Sequence, residues 1–151
     1  MKIGIVGGTG DIGEGMALRL SQIHSVVLGS REEGKAITTS ECTIAELTRR
    51  GLPCSCEGFC NQDAVDRSDI VILAVPFSHL ASTIGSLHGF EGKIVVSPVN
   101  PMEKREFFTF VPPAEGSAAL MARRLLPPDV KLCTAFNTIA ANKWKAIDDP
   151  L

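Results

Sequence analysis

The first thirteen residues constrain this chain most. Lys2-Ile3-Gly4-Ile5-Val6 is a short apolar run, and Gly7-Gly8-Thr9-Gly10-Asp11-Ile12-Gly13 follows it directly. Ile12, Met16, Leu20 and Ile23 then fall on one face of a helix. A second apolar run, Val26-Val27-Leu28, comes at the distance of a strand–helix–strand unit. Gly8, Gly10 and Gly13 thus form G-x-G-x-x-G between a strand and a helix, the context in which this spacing binds a dinucleotide. Gly8 is expected to turn the chain out of the strand, Gly10 to let a pyrophosphate reach the backbone, and Gly13 to let helix and strand pack closely. Amides left unpaired at the helix start, with the positive end of its dipole, would hold the phosphates.

The end of the second strand narrows the choice of dinucleotide. NAD-binding loops carry an acidic residue about 20 positions on, which binds the ribose 2′-hydroxyl. Here Ser30 and Arg31 hold that place, with Lys35 one turn later. A hydroxyl, a guanidinium and an ammonium suit a 2′-phosphate, so NADP is expected rather than NAD. The competing reading makes Arg31 and Lys35 solvated surface charges paired with Glu32 and Glu33.

Downstream the pattern continues. A helix is expected over residues 11–22 and a weak one over 32–50, where Thr38-Thr39-Ser40 is a poor helix former and Gly51 a stop. A third strand is expected near Cys54–Glu57, then a helix to Arg67 capped by Asn61. Asp69-Ile70-Val71-Ile72-Leu73-Ala74-Val75 reads as a central parallel strand buried on both faces, ended by Pro76. Ser78 is expected to cap the next helix, and His79 at its start reads as a surface or capping group rather than a catalytic one. Strands follow at Lys93–Ser97 and Val130–Phe136, with a helix over Gly116–Leu126 between them. Residues 102–114 read as irregular, and their Phe107, Phe108 and Phe110 as either core or an exposed contact patch. The expected fold is α/β, a Rossmann-type doubly wound parallel sheet of three layers and about six strands, in one domain over residues 1–151.

Composition excludes several classes. Hydrophobic residues are 44% and charged residues 21%, as in ordinary globular proteins. The net charge of −2, without a basic run, gives no support for nucleic-acid binding. No apolar run reaches the length of a membrane span, and a strand starting at the second residue leaves no room for a signal peptide, so a cytoplasmic protein is expected. The five cysteines are odd in number, and C-x-C-x-x-x-C at Cys54, Cys56 and Cys60 is not a common zinc spacing. Cys54 and Cys56 are expected to share a strand face as small hydrophobes, with no metal bound.

Taken together, the residues resemble the coenzyme F420-dependent NADP oxidoreductase family. The resemblance rests on Gly7–Gly15, on Gly29-Ser30-Arg31 with Lys35, on Val75-Pro76-Phe77-Ser78-His79, on Val95–Val99, and on Asn137-Thr138-Ile139-Ala140-Ala141, in order and spacing. It implies hydride transfer between NADP(H) and the deazaflavin coenzyme F420, with no catalytic side chain. It implies that Thr9, Gly10, Asp11 and Ile12 cradle the pyrophosphate and that Ser30, Arg31 and Lys35 hold the 2′-phosphate. Phe77 and Ala81 would line the adenosine and ribose side, and Met102 and Ala141 the nicotinamide side. The deazaflavin would lie against the Ser97–Val99 turn and the loop around Asn137.

Two departures are visible. Members usually carry Pro where Ala140 stands, and they continue into a C-terminal region that helps form the deazaflavin site and the dimer, whereas this sequence stops at Leu151. A second expectation follows: an NADP(H)-binding module without its own second-substrate site, acting as a sensor or with a partner. The same shortening predicts an apolar surface around Trp144 that another subunit would cover, hence a homo-oligomer.

Overall fold

Parallel strands buried on both faces need apolar side chains pointing both ways, and the N-terminal strand supplies them. In a computed structural model, which describes residues 1–104 and 106–150, Lys2–Val6 is the strand β1. Ile3 and Ile5 enter one core and Val6 the other. The chain continues as α1 (Asp11–Leu20), β2 (Ser25–Ser30), α2 (Glu33–Arg49), β3 (Cys56–Cys60), α3 (Asn61–Asp66), β4 (Ile70–Leu73), α4 (Phe77–Gly85) and β5 (Ile94–Ser97). After β5 come a hairpin of β6 (Met102–Lys104) and β7 (Phe108–Phe110), then α5 (Ala118–Leu125), β8 (Lys131–Thr134) and α6 (Ala141–Lys145).

The main sheet has six parallel strands in the order β3-β2-β1-β4-β5-β8. Chain order therefore reverses between β1 and β4, and a crevice opens there beyond the carboxyl ends of the strands. One face packs Met16 and Ala17 of α1 and Trp144 of α6 over Ile3, Ile5, Leu28 and Ile72. The other packs Val65 of α3, Leu80 and Ile84 of α4 and Ala122 of α5 over Val6, Val71, Leu73 and Val95. The expected doubly wound α/β fold is present.

Several local expectations need correction. The weak stretch Thr38-Thr39-Ser40 lies inside α2: Thr38 Oγ1 donates to Gly34 O at 3.0 Å, and Ser40 Oγ to Ile37 O at 2.8 Å. Ala36 and Leu47 are fully buried, so packing of one helix face overrides propensity. β3 starts two residues later than read, at Cys56, and Cys54 and Cys56 do face the same core. Cys60, not Asn61, caps α3, its sulfur accepting from Asp63 N. α4 begins at Phe77 behind Pro76, ahead of the Ser78 expected to cap it. The stretch 102–114, read as irregular, contains the paired strands β6 and β7, and Phe107, Phe108 and Phe110 are exposed.

Trp144 is not a surface patch. It is 2% exposed, and its ring meets Phe136 edge-on at 5.3 Å. Gly15 makes room: a Cβ there would stand 2.4 Å from the Trp144 Cβ. The Arg19 guanidinium donates to the carbonyls of Lys143, Trp144, Ala146 and Asp149, which fastens the segment after β8 onto α1.

Candidate functional site

The glycine loop leaves β1 at Gly7, whose φ of +74° is left-handed. The sharp turn thus belongs to Gly7 and not, as the motif suggested, to Gly8. Gly8 is a packing residue: its amide donates to Gly29 O at 2.8 Å, and a Cβ on it would strike Leu28 Cδ2 at 2.4 Å. Gly13, by contrast, fits its expected role, since a Cβ would lie 2.6 Å from Gly8 Cα. Gly10 differs from both. It is the N-cap of α1, and a Cβ on it would meet only Gly7 O, at 3.7 Å. Its exposed side looks into open space in front of the first helical amides, which an α-helix cannot satisfy internally.

Two recesses flank this point. The first, about 230 Å³, lies beyond the carboxyl ends of β1 and β2, lined by Gly7, Thr9, Gly10, Ser30, Arg31, Glu32 and Lys35, with Asn61, His79 and Thr83 opposite. Ser30 is buried, and its Oγ accepts from Glu32 N at 3.2 Å, which leaves its own proton to donate. Lys35 Nζ lies 2.7 Å from Glu32 Oε1, both side chains being mostly exposed. Surface pairs of this kind contribute about 0–1 kcal/mol, so Lys35 is readily drawn to a dianion. Among the described residues no carboxylate pairs with Arg31. The surface-charge reading thus describes Lys35 and leaves Arg31 available.

The second recess, about 730 Å³, runs from Gly10, Asp11 and Ile12 to Phe77, Met102, Phe108 and Ala141, with Pro98, Val99 and Asn100 on its floor. It is predominantly apolar. Asn100 Nδ2 donates to Asn137 O at 2.7 Å and Asn137 Nδ2 to Val99 O at 3.2 Å, so the loops after β5 and β8 brace each other. The Asp11 carboxylate at the helix start is held by Lys145 Nζ at 2.8 Å. That hydrogen bond, and then the ammonium charge, lowers its pKa. The two recesses share Gly10, Ala74, Val75 and Pro76 and form one cleft.

The structure therefore gathers Thr9, Gly10, Asp11, Ile12, Ser30, Arg31, Lys35, Phe77, Met102 and Ala141 along the cleft. It leaves Gly8 behind the loop, and Ala81 exposed on α4 and outside both recesses. His79 and Thr83, one turn apart, present the α4 face that does line it. His79, read as a surface or capping group, is exposed and also lines the first recess; the sequence does not single out Thr83 or, beyond a helix cap, Asn61. Only the strand-end position of Asn61 could have signalled it. Among the described residues no three His, Cys, Asp or Glu side chains are gathered as metal ligands would be, and no helix is long and apolar enough to cross a membrane.

A reversing parallel sheet, a glycine loop opening a helix, and a cleft over both define a dinucleotide-binding domain of the Rossmann type. A family model for coenzyme F420-dependent NADP oxidoreductases matches residues 2–101. An F420-dependent NADP reductase of Methanocaldococcus jannaschii is 36% identical over all of this chain and 69% of its own length. A reductase of the same description from Methanothermobacter marburgensis is 31% identical over the same shares. The chain belongs to this family, and it spans about two thirds of the length of these curated relatives. A hypothetical protein of Sinorhizobium meliloti superposes with a TM-score of 0.73 at 25% identity, over 98% of this chain and 66% of its own.

Proposed function

We propose that this chain is an NADP-dependent oxidoreductase that transfers a hydride between NADP(H) and coenzyme F420 or a related flavin-like acceptor. One observation carries the reading: a cationic recess and an apolar recess meet at Gly10, in front of a helix N-terminus. The space a Cβ would fill at Gly10 fits a pyrophosphate on the amides of Asp11 and Ile12. Ser30, Arg31 and Lys35 would then hold the 2′-phosphate, and Phe77, Met102 and Ala141 the apolar wall on the nicotinamide side. The names of the curated relatives support both cofactors.

When bound, the nicotinamide and the deazaflavin supply the donor and acceptor carbons themselves, so no side chain need act as acid or base. The chain contributes proximity and exclusion of water. Braced by Asn100 and Asn137, the loops under the second recess hold its floor still. Because that recess lies on this chain, a module without its own second-substrate site is the less favoured reading.

Oxidation of NADPH with coenzyme F420, followed by absorbance, tests the activity. Turnover with NADPH and little with NADH is expected. No turnover at high enzyme concentration removes the acceptor, and calorimetry showing NADP⁺ bound without coenzyme F420 restores the module.

We also infer a cytoplasmic homo-oligomer. Its support is no longer Trp144 but the hairpin, where Phe107, Phe108 and Phe110 are 75%, 67% and 63% exposed. The five cysteines are free, as a reducing compartment keeps them. Sedimentation that shows only monomer at high concentration would remove the oligomer.

A further inference from the structure

Asn61 is placed to do more than begin a helix. Ser30 pairs with Cys60 in the β2–β3 register, so the residue after β3 emerges beside Arg31. Its Oδ1 accepts from Gly7 N at 3.1 Å, across 54 residues of chain. Gly7 is the left-handed turn residue, and its loop is held on the other side by the bond from Gly8 N to Gly29 O. Gly29 provides the room, since a Cβ there would come within 2.8 Å of Asn61 Oδ1. With the oxygen turned to Gly7, the Nδ2 group and its two hydrogens form the other end of the amide plane. Among the described residues Nδ2 has no acceptor, and Asn61 lines the recess that holds Ser30 and Arg31.

We propose that Asn61 is a positioning and specificity residue, its carbonyl oxygen fixing the glycine turn while its NH₂ donates to the phosphorylated ribose of the dinucleotide. This rests on the NADP reading above and deepens it. An amide suits the place because one planar group supplies an acceptor for the loop and a donor for an anion. A carboxylate of the same shape keeps the first function and inverts the second.

The test is Asn61→Asp in the full chain, with melting temperature, calorimetric affinities for NADP⁺ and NAD⁺, and the split between KM and kcat. The expected variant melts close to wild type, loses NADP⁺ affinity by about tenfold or more beyond any loss for NAD⁺, and shows the loss in KM with kcat little changed. Equal weakening of both dinucleotides, or of neither, overturns the proposal, because a residue acting only through the loop would not distinguish them. If the variant does not fold, the wild-type side-chain amide decides by nuclear magnetic resonance. Its signal should move with adenosine 2′,5′-bisphosphate and not with adenosine 5′-monophosphate, and a signal that moves with neither or equally with both overturns the proposal. A wild-type chain that binds neither dinucleotide refutes the NADP reading and this inference together, an outcome distinct from lost selectivity.

Discussion

Two substitutions in the glycine loop separate folding from binding. At Gly13 an added Cβ would stand 2.6 Å from Gly8 Cα and 2.7 Å from Gly8 C and O. These are backbone atoms of the turn, so α1 must back away from β1 to make room. Overpacking of that kind costs about 1–3 kcal/mol. For a domain of this size each kcal/mol lowers the melting temperature by about 2–4 °C, so Gly13→Ala should melt roughly 2–12 °C below wild type. At Gly10 the backbone is extended, φ −90° and ψ 166°, and a Cβ would have only Gly7 O within 4 Å, at 3.7 Å. Gly10→Ala should therefore stay within about 0.5 kcal/mol of wild type in stability. Its methyl group would instead occupy the approach to the amides of Asp11 and Ile12. Loss of one charge-assisted contact is worth about 1.5–3 kcal/mol, roughly a ten- to hundredfold rise in the Kd for NADP⁺. Scanning calorimetry and titration calorimetry on the two variants measure both quantities. A Gly10→Ala protein that binds NADP⁺ as tightly as wild type, or melts as low as Gly13→Ala, would refute the assignment of the two glycines.

Other outcomes follow from the same geometry. Arg31→Ala should weaken NADP⁺ by about 1.5–3 kcal/mol and leave NAD⁺ nearly unchanged by calorimetry; an equal loss for both means that Arg31 does not meet the 2′-phosphate. Acid should loosen α6 from α1: with the Asp11 pKa depressed by Lys145, the pair's stabilisation is complete above the ordinary carboxylate value of 3.8 and fades as pH falls through the lower folded value. The single tryptophan, Trp144, reports this by fluorescence, and a Lys145→Met variant whose acid limb superimposes on wild type would count against it. Burial raises the Cys56 pKa to about 12, so native protein at pH 8 should leave that thiol unlabelled by an aromatic disulfide while exposed Cys42 and Cys133 react. Mass spectrometry of labelled peptides decides, and early modification of Cys56 would show that β3 opens readily.

The sequence shows the fold where one interaction dominates. The run at residues 70–73 is apolar at every position, and only a strand covered on both faces uses such a run efficiently, so β4 could be placed at the centre. It is silent where two equivalent residues compete. Gly7 and Gly8 are adjacent and identical, and only the approach of Ala74 and Leu28 decides which turns and which packs. Asn61 follows the usual pattern of a helix cap, yet the Cys60 sulfur takes that role and frees the amide for Gly7. The β6–β7 hairpin gives little signal because each strand has three residues, too few to establish a period, and its phenylalanines are exposed. Ala81 shows the limit of carrying roles over by position: it shares a face of α4 with Phe77, one turn further along, yet lines neither recess.

The helix α1 links the two ends of the proposed reaction. Its N-terminus faces the shared point of the cleft, while Gly15 and Arg19 seat α6 against its flank. Ala141, the first residue of α6, forms part of the apolar recess. Lys145 closes the arrangement by reaching back to Asp11 and to Glu14 at 2.8 and 2.9 Å. The phosphate cradle and Ala141, one part of the wall proposed for the nicotinamide, are therefore carried by one helix and the segment strapped to it. A reaction that depends on holding two rings in register requires this, because the geometry must be set before the hydride moves. The buried Trp144 thus has a functional consequence: what read as a surface left for another subunit is the joint that fixes the cleft's second wall to its first.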